Sequence, residues 1–240
     1  MTWIEPDWPV KSNIHAAVTL RSGGLSKGVF QSLNPALHVN DNSETVLANR
    51  KAIAQMLNLP SNPIWLEQVH SDRVIKIDKN TAVQQADASY TDQADVVSVV
   101  MTADCLPVLL ASSDGTEIAA VHAGWRGLLA GVIANTAAMF KTDNIIAWLG
   151  PAIGADCFEV GGEVKSSFIN KSVQFSSAFK QKSEEKYLAD IYQLATIDLA
   201  ALGITQVYGG GFCTVTDKER FYSYRRDGET GRMATFIWRD

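Results

Sequence analysis

The sequence has 240 residues, 46% hydrophobic and 20% charged, as expected for a globular protein of one large domain or two small ones. Its net charge of −5 without clustered Lys and Arg argues against nucleic-acid binding, and no apolar run reaches the roughly 20 residues of a membrane span. Three widely spaced cysteines, and an N-terminal segment without the pattern of a secretory signal, predict a cytoplasmic protein with reduced thiols.

The first predicted elements are a strand and a long irregular loop. Residues 14–20 have the composition of a strand. The segment 30–42 is irregular and carries Asn34, His38 and Asp41. A loop of this length inside a compact domain is unusual unless it is functional. Asn34 is therefore a candidate substrate-binding residue.

A helix that runs to about Asn58 is predicted next. Asp41 with Glu44 three residues later indicates a capping box, and Pro60 ends the helix. Arg50 falls on or near its apolar face, which is an unfavourable place for an unpaired guanidinium. Two interpretations stay open, because Arg50 either extends to water or a carboxylate, or points into the site.

The middle of the chain predicts several strands. Segments 64–69 and 73–77 have strand patterns, and 87–92 is polar and typical of turns. Segments 95–101 and 106–111 are continuously apolar, which is expected where a strand is covered on both faces.

The rest of the chain alternates between the two kinds of element, with no internal repeat. The predictions are strands at 116–121, 144–149, 204–208 and 233–238, helices at 124–140, 163–170 and 187–202, and a polar, mobile excursion at 171–185. This order predicts a mixed α/β domain over residues 1–240.

Three potential nucleophiles or metal ligands, His70, Cys105 and His122, lie where strand-like segments give way to loops. A lone Cys or His is more often structural, but two His and one Cys with an open position match a catalytic zinc site, which activates water. The same trio could act as a Cys nucleophile with a His base, or as the ligand set of a blue-copper centre. A multicopper oxidase is disfavoured, because the chain has only four His.

A Gly-rich turn at 123–127 opens the predicted helix after His122. Backbone N–H groups at such a turn bind anions, and Arg126 adds further donors. The alternative is that these glycines serve only close helix–sheet packing. A second segment with Arg and Gly, 223–232, can hold anions or form surface ion pairs, and we favour the structural interpretation.

With these motifs the sequence resembles the YfiH-like laccase-domain family, whose members are described as polyphenol oxidases or as purine nucleoside phosphorylases. The matching segments follow in order along nearly the whole chain: 21–28, 32–34, 49–50, 67–70, 102–107, 122–127, 150–154 and 224–232.

The resemblance implies a single α/β domain layered α-β-β-α, with zinc held by the catalytic residues His70, Cys105 and His122. It implies phosphorolysis of adenosine, inosine, guanosine and methylthioadenosine, and deamination of adenosine by zinc-activated water at C6. The small-molecule partners are then a nucleoside and phosphate, which Arg50 or Arg126 would meet.

The resemblance also keeps two alternatives open. One is a copper polyphenol oxidase, and the other is a Cys-His hydrolase that edits peptidoglycan precursors. No feature of the sequence demands a partner chain, and we expect a monomer.

Overall fold

The computed structural model describes residues 3–240 and has a mixed α/β architecture. Met1 and Thr2, which begin the segment without a secretory signal, lie outside the described residues. The helices are α1 (Ser43–Met56), α2 (Trp125–Ala130), α3 (Val132–Ala137), α4 (Gly162–Lys171), α5 (Ile191–Ala201) and α6 (Tyr224–Asp227). Among residues 3–240, none of them has the length and apolar character needed to cross a bilayer.

The strands form a larger and two smaller sheets. They are β1 (Trp3–Ile4), β2 (Ile14–Thr19), β3 (Val74–Lys76), β4 (Ala88–Thr91), β5 (Ser98–Thr102), β6 (Leu106–Ser112), β7 (Ile118–Ala123), β8 (Ile145–Leu149), β9 (Glu159–Gly161), β10 (Phe179–Gln181), β11 (Lys186–Ala189), β12 (Gln206–Gly209) and β13 (Met233–Arg239).

The larger sheet has six strands in the order β12-β8-β6-β7-β4-β3. Its two outermost pairs are parallel and its inner pairs are antiparallel. The central strands β6 and β7 bury every residue. This full burial accounts for the continuous apolar pattern, because both faces of the sheet are covered.

A four-stranded antiparallel sheet, in the order β1-β2-β13-β5, packs against the larger sheet. The last strand, β13, therefore lies between two strands from the first half of the chain. Alternate side chains of both sheets, such as Val18, Val100 and Leu109, form the core between them.

Helices cover the outer faces of both sheets. Ile53 of α1 packs on Val99 and Phe236 of the smaller sheet. Helices α2 to α5 pack on the larger sheet around Leu110 and Val121. The layers therefore run α-β-β-α, and the expected fold class is confirmed.

The cap of α1 differs from the prediction. Asn42, not Asp41, caps the helix, because its side chain accepts a hydrogen bond from the N–H of Thr45 at 2.9 Å. The Asp41 carboxylate instead accepts from the Ser26 hydroxyl at 2.6 Å and from the Asn34 amide at 2.9 Å. The candidate capping residue therefore fastens the preceding loop.

The single helix predicted at 124–140 is wrong. Two short helices, α2 and α3, meet at Gly131, whose φ of 103° is left-handed. The N–H of Gly131 closes α2 on the carbonyl oxygen of Gly127 at 2.9 Å. Apolar periodicity continues across the break, so the pattern alone could not reveal it.

The turn-rich segment predicted at 87–92 is also wrong, because β4 lies there with every residue buried. Its polar side chains are satisfied internally: the Ser89 hydroxyl bonds to that of Ser98 at 2.5 Å, and Tyr90 donates to Glu117. Polar composition indicated a loop because these partners lie outside the segment, in other parts of the fold.

The segment 64–69 is not a regular strand. It makes isolated bridges at Ile64 and Glu67 only. The Gln68 side chain instead bonds to the backbone of Met101 in both directions, at 2.8 and 2.7 Å. A side-chain amide thus replaces a strand ladder beside the site.

The excursion predicted at 171–185 is an ordered element of the fold. A 3₁₀ helix (Val173–Ala178) and β10 lie within it, and β10 pairs with the following β11 in a three-stranded sheet that β9 completes. Buried Phe175 anchors it against Phe168 of α4. The start of α5 moves to Ile191, because the Asp190 side chain caps it.

Candidate metal centre

Three potential metal ligands meet at one end of the larger sheet. The ligand atoms of His70, Cys105 and His122 all lie within 4.8 Å of one another. Sγ of Cys105 is 3.7 Å from Nε2 of His70, and the two imidazole rings are 4.7 Å apart. In residues 3–240 no other group of three such donors occurs. The structure thus brings together the trio expected from the sequence.

Two neighbouring strands position the two inner donors. Cys105 directly precedes β6, and His122 is the second-last residue of β7. Because Pro107 pairs with His122 and Leu106 with Ala123, the ends of these antiparallel strands hold thiol and imidazole side by side. His70 reaches the same place from the irregular segment after Gln68.

The buried carboxylate of Asp87 orients two of the donors. Its Oδ1 accepts from Nδ1 of His122 at 2.7 Å and from the N–H of His70 at 2.9 Å. Its Oδ2 accepts from the N–H and the hydroxyl of Ser71 at 2.6 and 2.7 Å. Burial opposes ionisation, but these bonds prevail and lower the pKa of Asp87 to about 2. Nε2 of His122 is therefore free to face Cys105.

Cys105 and His122 stabilise each other's charged form. Burial raises the pKa of the Cys105 thiol, but the charge and hydrogen bond of His122 outweigh it and lower this pKa. Burial also lowers the pKa of His122, whereas the Cys105 thiolate and Asp87 raise it. The thiolate is the form of Cys that binds metals, so the site favours the required ionisation state.

The space around the trio depends on Gly124. A Cβ atom at this position would lie 3.0 Å from Sγ of Cys105 and 3.0 Å from Cδ2 of His70. Such distances are shorter than ordinary contacts, so a side chain at this position would displace both donors. The glycine in front of α2 thus leaves room for two of the donors, in addition to any packing role.

Two residues at the site have left-handed backbone conformations without being glycine. His70 has φ 60° and Asp104 has φ 86°. Such conformations cost about 1–3 kcal/mol each and persist where neighbours hold them. The buried Asp104 carboxylate is held by the Thr214 hydroxyl and by the N–H of Arg225, the latter at 2.6 Å. The backbone entering Cys105 is therefore held from the opposite side of the site.

The trio lies in a cleft of about 540 Å³, a size that suits a small organic molecule. Its apolar lining is Met101, Ala103, Trp125, Ile153, Phe158 and Ile191. Its other polar lining is His38, Gln68, Thr102, Asp104, Arg126, Tyr224, Arg225 and Arg232. The cleft therefore has an apolar wall beside a cationic wall, which is formed by Arg126, Arg225 and Arg232.

The guanidinium groups of the cleft form no ion pair with a carboxylate of residues 3–240. Arg126 lies over the Trp125 ring, with Cζ 4.4 Å from its centre. Arg225 donates through Nη1 to the carbonyl oxygens of Cys157 at 3.3 Å and Glu159 at 3.1 Å. Their charges are not neutralised inside the cleft.

Arg232 is the most enclosed of these cations. Its Nη1 donates to the carbonyl oxygens of Thr230 at 2.9 Å and Gly231 at 3.0 Å. Burial lowers the pKa of this guanidinium. A half-buried cation whose side chain bonds to carbonyl groups keeps its charge available to an anion.

Arg50 and Asn34 do not line this cleft. Cζ of Arg50 lies 3.8 Å from the centre of the Trp65 ring, and its Nε donates to Pro35 at 2.7 Å. Asn34 is fully buried, and its Oδ1 accepts from the N–H of Arg232 at 3.1 Å. Both hold the chain that borders the cleft, and their roles in substrate binding stay predictions.

The sequence does not single out Asp87, and it favours a structural role for two arginines that the structure finds lining the cleft. The structural interpretation of 223–232 suits Arg226, which bonds to Asp227 at 2.6 Å and to Thr214 at 2.8 Å. Arg225 and Arg232 also bond to backbone carbonyl groups, but they line the cleft as well, so anion binding by these two residues stays a prediction. The Gly next to Arg232 was a usable signal, whereas nothing near Asp87 pointed to His122.

Comparison with known proteins adds independent findings. A family described as multi-copper polyphenol oxidoreductase laccase matches residues 15–240. A Shigella flexneri relative named purine nucleoside phosphorylase YfiH is 52% identical over 238 residues, 98% of each chain. A Haemophilus influenzae purine nucleoside phosphorylase is 48% identical over 242 residues, 99% of each chain.

Two solved structures are also similar. A Neisseria meningitidis protein of the DUF152 family matches with a TM-score of 0.96 and 45% identity over the whole of both chains. YlmD from Geobacillus stearothermophilus matches with a TM-score of 0.93 and 31% identity, over 100% of this chain and 96% of that one. Neither similarity is confined to the site, since each covers the full layered fold.

Proposed function

We propose that this chain, which belongs to the family described as multi-copper polyphenol oxidoreductase laccase, is a metal-dependent purine nucleoside phosphorylase. The observation that carries this proposal is the trio of donors and the unpaired guanidinium groups in one cleft of about 540 Å³. Relatives about half identical over nearly their whole length bear the name purine nucleoside phosphorylase.

The donor set supports zinc as the metal. Two imidazoles and one thiolate within 4.8 Å, open to a cleft, match a catalytic zinc site with a free position. Zinc held by His70, Cys105 and His122 would supply a Lewis acid that lowers the pKa of water toward neutrality. The second activity that we propose is the deamination of adenosine, which would depend on water activated in this way.

The family description raises copper as the alternative. The same donor set suits a single copper ion. A multicopper site needs further imidazoles, but His15 stacks on Trp238 and pairs with Asp240, and only His38 is left beside the cleft. The supply of His therefore favours zinc and disfavours a multicopper oxidase.

The cationic wall supports phosphate as the co-substrate. Arg232 and Arg225 would hold phosphate through charge-assisted hydrogen bonds, and Arg126 would add charge at the entrance. The apolar wall, with Trp125 and Phe158, would hold the purine. A phosphate oxygen then attacks C1′ as the bond to purine N9 breaks, and the purine leaves with a proton.

We propose adenosine, inosine, guanosine and methylthioadenosine as the substrates, since each joins a purine to a ribose-type sugar. We propose a monomer as the active unit, because no feature of the sequence demands a partner chain. The three free thiols support a cytoplasmic location.

The test is a product assay. Purified metal-loaded protein is incubated with adenosine, with and without phosphate, and the products are separated by chromatography. We expect adenine only with phosphate, and inosine in both tubes. Cys105→Ala should lose the metal and both activities, whereas Cys157→Ala, which removes another half-buried thiol, should retain them. Adenosine left unchanged in both tubes by metal-loaded protein would refute the proposal.

The cationic wall has its own prediction. Arg232→Ala should raise KM for phosphate by roughly 10- to 100-fold, because a charge-assisted hydrogen bond contributes about 1.5–3 kcal/mol. KM for the nucleoside should change less. Arg220→Ala is the control, since Arg220 pairs with Asp217 on the surface at 2.6 Å. An unchanged KM for phosphate in Arg232→Ala would remove this residue from the phosphate site.

A further inference from the structure

Two free thiols, Cys157 and Cys213, lie beside each other outside the metal centre. The tight turn at 154–157 carries Cys157 and contacts Cys213 through Gly154. The N–H of Cys157 donates to the carbonyl oxygen of Gly154 at 2.9 Å, and the N–H of Gly154 donates to Sγ of Cys213 at 3.3 Å. A Cβ at Gly154 would lie 2.9 Å from Cβ of Cys213, so this glycine permits the close approach.

The surroundings of the two thiols differ. Burial raises the pKa of Cys213, but hydrogen bonds from Thr216 and from the N–H of Gly154 outweigh it and lower this pKa. Burial and the neighbouring Cys213 both raise the pKa of Cys157. Cys213 is therefore the more nucleophilic sulfur at neutral pH, and Cys157 is the thiol next to it.

This pair lies behind the wall of the cleft, to which the backbone of Cys157 connects it. The carbonyl oxygen of Cys157 accepts from Nη1 of Arg225 at 3.3 Å, and the next residue, Phe158, lines the cleft. The Tyr192 hydroxyl joins the two loops, because its oxygen lies within hydrogen-bond distance of the carbonyl oxygens of Gly150, at 3.1 Å, and Phe212, at 3.2 Å. A bond between the thiols would thus restrain the backbone that holds Arg225.

We propose that Cys157 and Cys213 form a redox-active dithiol that hydrogen peroxide closes to a disulfide. The Cys213 thiolate attacks one peroxide oxygen, the O–O bond breaks, and the other oxygen leaves as water after it takes a proton. The Cys157 sulfur then attacks the sulfenic acid, an S–S bond forms, and a second water leaves. The thiols lose the two electrons that reduce the peroxide, and a dithiol reductant reverses the change.

Peptide mapping tests the disulfide directly. Trypsin places the cysteines on separate peptides, 80–126, 142–165 and 187–218. The purified protein is treated with peroxide, alkylated with iodoacetamide and digested. We expect peptides 142–165 and 187–218 to be linked, with the loss of two hydrogen atoms, and the link to disappear after dithiothreitol.

The variants assign the order of the steps. Cys157→Ser should leave Cys213 as a sulfenic acid that dimedone traps, and Cys213→Ser should give neither adduct nor link. Complete alkylation of both thiols after peroxide treatment would overturn the proposal. A link that joins either peptide to 80–126 instead would overturn it as well.

The effect on the cleft is measured without catalysis, by calorimetric titration with inorganic phosphate. We expect the affinity to differ roughly fivefold or more between the reduced and the linked protein, as in typical coupling between sites. The double variant Cys157→Ser/Cys213→Ser should show no such change after peroxide. Equal affinities in reduced and linked protein would overturn the coupling to the cleft, whatever the enzymatic assay shows.

Discussion

Asp87 is the residue that joins the two histidines of the metal centre to one rigid acceptor. It bonds to the ring of His122 and to the backbone of His70, and it has no exposed surface. Carboxylates in this position fix the ring orientation and raise the basicity of a ligand imidazole. The affinity for metal should therefore depend on a residue that does not touch the metal.

We predict that Asp87→Asn weakens zinc binding by about 10- to 100-fold, the range typical of such outer partners. The amide offers one acceptor and one donor, and the donor faces the N–H and hydroxyl of Ser71. Competition with a chelator measures the affinity. Asp72→Asn is the control, because Asp72 accepts a bond from Asn135 at 3.1 Å near the site. Equal zinc affinity in both variants would contradict the prediction.

At the residue scale, the sequence predicts potential nucleophiles and metal ligands where they follow or end a strand with a clear apolar pattern. Cys105 and His122 follow this rule, because their strands are locally encoded. Asp87 was not predictable, since its contact with the imidazole is made to His122, 35 residues away in the sequence. No local pattern encodes the bond from Asp87 to His122.

At the element scale, the turn into α2 has to leave room for the donors. Gly124 is the N-cap of this helix, in an extended conformation that any residue can adopt. The requirement for glycine at this position therefore arises from space alone.

Gly124→Ala should accordingly reduce zinc content at least tenfold while the protein stays folded, because its Cβ would crowd Cys105 and His70 at 3.0 Å. Metal analysis after dialysis, together with circular dichroism, measures both quantities. Gly162→Ala provides the control, since its Cβ would meet only Tyr187, at 3.8 Å. Full zinc content in Gly124→Ala would contradict the prediction, because it would show that Cys105 and His70 can shift and still bind zinc.

Elements with a continuous apolar pattern were predicted well, and β6 and β8 lie within a residue or so of the expected ranges. The errors have physical causes. Strand β4 is polar because its hydroxyl groups pair across the core, and the helix at 124–140 breaks at Gly131 without an interruption of its apolar face. Composition reports the average environment of a segment, whereas these features depend on single contacts.

At the scale of the whole molecule, Asp92 connects distant parts of the larger sheet layer. Its carboxylate pairs with Lys76 of β3 at 2.8 Å and with Lys141, after α3, at 2.9 Å. Hydrogen bonds from these two lysines lower the pKa of Asp92 to about 2, against the opposing effect of burial. A folded pKa below the unfolded value means that ionisation of Asp92 stabilises the fold.

This contribution should be complete above about pH 4 and be lost as the pH falls toward 2. Asp92→Asn should lower the free energy of unfolding by about 1 kcal/mol at pH 7, the upper range for exposed ion pairs. Urea denaturation at pH 7 and near pH 3 measures the free energy of unfolding of variant and parent. The difference between the two free energies should shrink at the lower pH. Asp143→Asn, exposed and without an ion pair in residues 3–240, should match the parent. A constant difference across this pH range would contradict the assignment.

The class of the whole fold followed from the alternation of elements, but the arrangement of its layers did not. The layer order came from the family resemblance. Pairing of β13 with both β2 and β5 joins distant segments, and no local pattern specifies such partners.

The central place of β13 has a consequence for the growing chain. On the ribosome, β2 and β5 emerge long before the strand that will separate them, and each exposes an unpaired backbone edge until then. The donors of the metal centre, by contrast, are all synthesised by residue 122. A nascent chain can therefore carry every metal ligand while its smaller sheet is still open, and until residue 233 is made the free edges of β2 and β5 can pair with other chains.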